Sequence, residues 1–157
     1  MRYDNFVELH RFSHIKSTLD GYATAEQVAK KAKLLGQKAV AISNHGNMVD
    51  FYEFYKACNK EEVKPILGNE VYITDDRHVK TKGTKHYHLV LLAMNGEGLK
   101  NLFKLTTLSH TEGFYGKPRI DWELLEKFNE GIICTSACLA SYPARLIAEN
   151  DYLKAKR

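Results

Sequence analysis

Lys38-Ala39-Val40-Ala41-Ile42-Ser43-Asn44-His45-Gly46-Asn47 reads as a buried strand that stops abruptly in a polar, glycine-containing turn. Val40 and Ile42 suit a strand covered on both faces, as in a parallel α/β sheet. Gly46 lets the backbone turn sharply where the strand ends. In such architectures binding and catalytic groups collect at the carboxyl ends of strands, so His45 is the first residue to suspect of chemistry.

Working outward, residues 5–10 alternate apolar and polar and read as a first strand ending at His10. Thr24-Ala25-Glu26-Gln27 has the form of a capping box opening a helix. Val28, Ala32 and Leu35 give that helix its apolar stripe, and Gly36 closes it. After His45, residues 47–60 read as a helix with Met48, Phe51, Tyr55 and Cys58 directed inward. Residues 63–74 follow as a strand that Gly68-Asn69-Glu70 is expected to interrupt as a turn or bulge. The polar, basic stretch 75–85 reads as an exposed loop, and residues 86–94 as another buried strand. A helix to about His110 comes next, then an irregular segment 113–120 and a short helix capped by Asp121. A strand at 131–135 and a helix at 139–149, opened by Pro143, complete the pattern. The alternation of strands and helices predicts an α/β fold with a largely parallel sheet or incomplete barrel. The basic, amphipathic stretch from Tyr152 to Arg157 has no clear terminator.

The 157 residues can bury a real core, and one domain is expected. A net charge of +4 permits an anionic partner without requiring one. No apolar run is long enough to span a bilayer, so no membrane partner is expected. Cys58, Cys134 and Cys138 are odd in number and lack a secretory context, which points to a reduced cytoplasmic setting.

Several potential metal ligands stand beside strand boundaries: His10, His45, Glu70, His88 and Cys138, with Asp20 in the loop after the first strand. Imidazole, carboxylate and thiolate together suit zinc or a similar first-row metal, sometimes several ions sharing ligands. Such a centre fits phosphoester hydrolysis, because metals activate water and clamp phosphate oxygens. Each residue taken alone has a structural alternative: a hydrogen-bonded core histidine, an Asx turn at Asp20, a small buried thiol at Cys138. Other schemes lack their signatures. There is no Gly-x-x-x-x-Gly-Lys loop, no Gly-x-Gly-x-x-Gly, no paired Cys-x-x-Cys and no glycine-flanked nucleophile around Ser136. Arg77 or Arg119 is the expected phosphate contact.

The order of these motifs resembles the polymerase-and-histidinol-phosphatase (PHP) domain: Leu9-His10, Leu19-Asp20-Gly21 and Ala41-Ile42-Ser43-Asn44-His45-Gly46. Lys64-Pro65-Ile66-Leu67-Gly68-Asn69-Glu70, Tyr87-His88-Leu89, the run from Glu112 to Asp121 and Thr135-Ser136-Ala137-Cys138 narrow the likeness. They resemble the branch found at the N-terminus of bacterial replicative DNA polymerase III alpha subunits.

This resemblance implies a distorted (β/α)7 barrel, here partial: one PHP-like domain over residues 1–157, incomplete at its C-terminal end. It implies a divalent-metal centre of up to three Zn, Mn or Fe ions, with His10, Asp20, His45, Glu70, His88 and Cys138 as ligands and His45 also catalytic. The implied parent is a DNA-directed DNA polymerase, and this segment is at most a metal-dependent 3′–5′ exonuclease or phosphoesterase. The implied partners are the remainder of the alpha subunit, other replisome subunits, and DNA. A stand-alone metal phosphoesterase and a non-catalytic scaffold remain alternatives.

The chain departs from the family pattern in three places. Phe12 stands where a second histidine is usual, with His14 as a possible substitute. Asn44 replaces the usual aspartate before His45. A late Asp-x-His pair falls beyond residue 157. Each missing ligand weakens metal binding, so fewer ions are expected.

Overall fold

The computed structural model describes residues 5–15 and 20–156; Leu19 and Arg157 lie outside the described residues. The elements run α1 (Ala25–Leu34), β1 (Ala39–Ile42), α2 (Phe51–Lys60), β2 (Lys64–Thr74), β3 (Tyr87–Ala93), α3 (Gly96–Thr111), β4 (Arg119–Asp121), α4 (Trp122–Lys127), β5 (Ile132–Thr135), α5 (Tyr142–Ala148) and α6 (Tyr152–Ala155). The fold is mixed α/β, with a partial sheet that does not close, consistent with a distorted PHP-type barrel. Among the described residues no helix is long and apolar enough to cross a membrane.

Local chemistry explains most boundaries. Thr24 caps α1 in a reciprocal capping box with Gln27. Asn95 caps α3, Asp121 caps α4 and Ser141 caps α5, with proline in the first turn of α5.

The sheet is mixed rather than largely parallel. β2 pairs in parallel with β1 through residues 64–67 and with β4 through residues 72–74, and antiparallel with β3 through residues 68–73. β5 adds antiparallel to β3. The expected first strand is reduced to a single parallel bridge, Glu8 to Val40. β2 also runs unbroken through Gly68-Asn69-Glu70. The reason for Gly68 is close approach: a Cβ there would lie 2.5 Å from Leu92 Cδ2 and 2.7 Å from the Leu91 carbonyl oxygen.

Alternation along the strands separates two faces. Val40, Ile42, Leu67, Val71, Ile73, Leu89 and Leu91 form one core with α1, α2, α3 and α4. Phe54, fully buried, supplies the aromatic anchor of α2, whereas Tyr55, expected inside, is exposed. On the opposite face Ala41, Val90 and Leu92 form a smaller cluster with Ile66 and Ala137. Even-numbered residues of β2 and β3 share that face, and this parity brings Glu70, Tyr72 and His88 together.

Candidate metal centre

The β1–β2 pairing continues past the end of β1 and fixes His45 beside Glu70. Glu70 N–H donates to the Asn44 carbonyl at 3.1 Å, and Gly46 N–H donates to the Glu70 carbonyl at 2.8 Å. Gly46 has φ +63°, and a Cβ there would lie 2.6 Å from Pro118 Cγ, so the turn is built around glycine. His110 Nε2 lies 2.9 Å from the Gly46 carbonyl oxygen and braces the same turn from α3. His10 arrives on the segment bonded to β1, where Ala41 N–H donates to Glu8 and Ser43 N–H to Arg11.

Glu70 is the hub. Its side chain is 1% exposed, yet four nitrogen or sulfur atoms lie close to its two oxygens. His10 Nε2 lies 2.8 Å and His45 Nδ1 3.3 Å from Oε2. His88 Nδ1 lies 2.6 Å and Cys138 Sγ 3.8 Å from Oε1. Cys138 Sγ is also 3.5 Å from His88 Nδ1. Asp20 stands one step out, its Oδ2 3.1 Å from His45 Nε2. Burial by itself would raise the Glu70 pKa. Hydrogen bonds to His10 and His88, with the charges of His45 and His10, outweigh it and hold the carboxyl at about 2.

All six residues expected at the centre therefore lie in one connected cluster, at two depths. His45, Glu70 and His88 each offer a ligand atom within 4.8 Å of one another, a group able to coordinate a divalent ion. His10 and Cys138 touch Glu70 from the sides, and Asp20 reaches only His45. The donor set fits a small cation. Ligand atoms ~2 Å from a tetrahedral ion lie about 3.3 Å apart, close to the spacing around Glu70. His45 Nδ1 is buried and accepts or donates no hydrogen bond, an orphaned polar atom aimed at the carboxylate.

The departures from the family pattern have definite places. The Phe12 ring stacks on His45 with centroids 4.2 Å apart and meets His10 edge-on at 5.1 Å. An apolar ring thus covers the flank where a second imidazole was sought. His14 does not replace it: it lines a separate cavity of about 520 Å³ with Thr24, Asp50, Glu53 and Lys56. The Asn44 side chain is buried and bonds Ser13 and Asp50 rather than the Glu70 carboxylate.

The two arginines expected to contact phosphate are committed elsewhere. Arg77 pairs with Glu112 and Asp121, both at 2.8 Å, and Arg119, 1% exposed, donates to the carbonyls of Gly113, Arg77 and Val79. Sequence reading missed Tyr72, whose ring meets His88 edge-on at 4.9 Å and lies 6.4 Å from His45. Its signal was period two: Tyr72 follows Glu70 by two on β2 and is the register partner of His88. Lys117 was missed as well; its Nζ sits 5.2 Å from the Tyr72 ring centre. The segment carrying it, expected to be irregular, includes β4 and holds Pro118 against Gly46.

Comparison with known proteins places this geometry in a family. The model of the PHP domain matches residues 8–157. The chain belongs to the PHP domain family. It is 46% identical over 161 residues to the DNA polymerase III subunit alpha of Aquifex aeolicus, covering 97% of this chain and 14% of that protein. The subunit of Borreliella burgdorferi is 44% identical over 155 residues, covering 96% of this chain and 13% of the relative. That of Helicobacter pylori is 44% identical over 135 residues, covering 85% and 11%. This PHP chain thus spans about one seventh or less of the length of these relatives.

Proposed function

We propose that this chain is the PHP segment of a replicative DNA polymerase III alpha subunit and that its centre is a divalent-metal phosphoesterase site. The parent activity in this reading is DNA-directed DNA synthesis in the cytoplasm, with the rest of the alpha subunit and other replisome subunits as partners. Likeness to polymerase subunits over nearly the whole chain supports the parentage. The convergence of His10, His45, His88 and Cys138 on the two oxygens of buried Glu70 carries the chemistry.

Glu70 divides its contacts, with His10 and His45 at one oxygen and His88 and Cys138 at the other, so these five residues would hold the divalent metal. Asp20, beyond His45, would extend the ligand set. The mixed nitrogen, oxygen and sulfur donors suit Zn, Mn or Fe. Such ions supply Lewis-acid polarisation of a phosphoryl oxygen and activation of water. The chain's own residues do the positioning. Asp20 holds the His45 ring through Nε2, Tyr72 backs His88, and the Phe12 ring covers one face of His45.

Hydrolysis of bis-p-nitrophenyl phosphate by the chain, with manganese or zinc added, tests this reading. His45→Ala is expected to lower turnover about 10- to 100-fold, as loss of a ligand or its support does. Equal turnover in the two proteins would sink the catalytic reading. It would leave a scaffold, which Phe12 in place of an imidazole favours.

A further inference from the structure

His14, the imidazole that does not reach Glu70, opens onto the separate cavity of about 520 Å³ between the start of α1 and one face of α2. Glu26, Asp50 and Glu53 form its acidic wall. Among the described residues three acids are buried: Asp50, Glu70 and Asp121. Glu70 and Asp121 have partners on both oxygens. Asp50, 2% exposed, does not: Oδ1 accepts from Asn44 Nδ2 at 2.8 Å, and Oδ2 has no hydrogen-bond partner. Asp50 occupies the N-cap position of α2, where a carboxylate ordinarily accepts a bond from the first turn, yet its side chain accepts none from the helix. A buried carboxylate oxygen without a donor is costly, and a cation offsets that cost. The lysines at the cavity do not supply it. Lys56 pairs with Glu53 at 3.0 Å, and Lys60 stands at the opposite end of α2.

We infer that this cavity is a second cation site, separate from the Glu70 centre, and that it takes a hydrated magnesium or manganese ion on Asp50 Oδ2. The donors decide the class of ion. Carboxylate oxygens with a single imidazole and no thiolate suit a hard cation. Among the described residues only His45, Glu70 and His88 form a group of three with their ligand atoms already gathered. Around Asp50 the other donors stand back, so the ion keeps most of its waters. Magnesium binds in this way, through one or two carboxylates, because it dehydrates reluctantly. The cavity has room for the ion and its shell, since each water takes about 30 Å³. Glu26, Glu53 and His14 receive the waters. The ion then answers the open oxygen of a chain of contacts, Asp50 to Asn44 to Ser13, and fastens the segment carrying His14 to the starts of α1 and α2.

The test is manganese binding at equilibrium, counted from the loss of the free ion's electron-paramagnetic-resonance signal. Equilibrium matters because an ion held by one carboxylate and water exchanges and is lost on gel filtration. The protein is the full chain carrying Glu70→Gln, which disables the Glu70 centre. A single manganese ion is expected to bind and to be displaced by excess magnesium. Adding Asp50→Asn, which keeps an oxygen for Asn44 but removes the charge, should weaken binding about tenfold or more. His14→Gln changes an exposed ring, so it leaves the fold intact, and it should weaken binding about tenfold through the lost water contact. Where Asp50→Asn does not fold, His14→Gln decides. Glu97→Gln, on α3, should leave binding unchanged. A folded Glu70→Gln chain that binds no manganese overturns the proposal, as does equal affinity with and without Asp50→Asn and His14→Gln. Binding of zinc that magnesium does not displace overturns it too. In the otherwise native chain, one ion lost with Asp50→Asn and another with Glu70→Gln supports both sites. An ion that survives Glu70→Gln and is lost with Asp50→Asn, with no other bound, retains this site and rejects the Glu70 centre.

Discussion

The Asn44 side chain is held by three hydrogen bonds. Its Oδ1 accepts from Ser13 N–H at 2.8 Å, and its Nδ2 donates to Ser13 Oγ at 3.0 Å and Asp50 Oδ1 at 2.8 Å. An aspartate at this position would keep the first bond, lose both donations and set its carboxylate against Asp50 in a buried space. Asn44 therefore ties the His10 segment to the start of α2, with an amide where two acids would repel. Asn44→Asp is expected to lower stability by about 1 to 3 kcal/mol, read as a reduced urea midpoint at pH 7. An unchanged midpoint would show that Asp50 does not need the amide donor. Asn44 illustrates where sequence reading stops. The residue was visible as a departure in the motif, but its partners are set by a loop about 30 residues away, which no spacing rule reaches.

The elements show the same division. Helices declared themselves through caps and periodicity: Thr24, Asn95 and Asp121 mark the starts of α1, α3 and α4. Strand direction was not legible, because a buried run such as Leu89-Val90-Leu91-Leu92 has no alternation and reads alike in parallel and antiparallel sheets. Nor was the clamp that joins the loop after β2 to the ends of α3 and α4. There Arg77, 13% exposed, bridges Glu112 and Asp121, and Asp121 also caps Leu124. Burial would raise the Asp121 pKa, but hydrogen bonds from Leu124 N–H, Arg77 N–H and the Arg77 guanidinium bring it below the ordinary aspartate range. A carboxyl depressed in this way contributes stability above its unfolded pKa and loses it as pH falls through the folded value. Asp121→Asn should cost about 2 to 4 kcal/mol at neutral pH. Its stability should also fall less than wild type between about pH 5 and pH 2. Parallel pH profiles of unfolding free energy in the two proteins would remove Asp121 from the clamp.

Over the whole molecule, segments far apart in sequence supply the centre: the N-terminal stretch with His10 and Asp20, the turn after β1, the middle of β2, β3, and the residues after β5. Their donors were legible because each sits at a strand boundary or on a shared parity. Their depth was not, since only the packed sheet makes Glu70 the buried hub and leaves Cys138 exposed. Likewise, a net charge of +4 announced an excess of cations; the fold decides that Arg77 and Arg119 are spent internally while Lys117 faces outward.

The most direct measurement is the metal content of the chain after incubation with manganese or zinc and gel filtration in chelator-free buffer, compared with Glu70→Gln and His88→Ala. At least one ion per folded chain is predicted for wild type, falling about tenfold or more in both variants. A folded wild-type chain that retains no metal, or variants that retain as much as wild type, would contradict the assignment of this cluster as a metal centre.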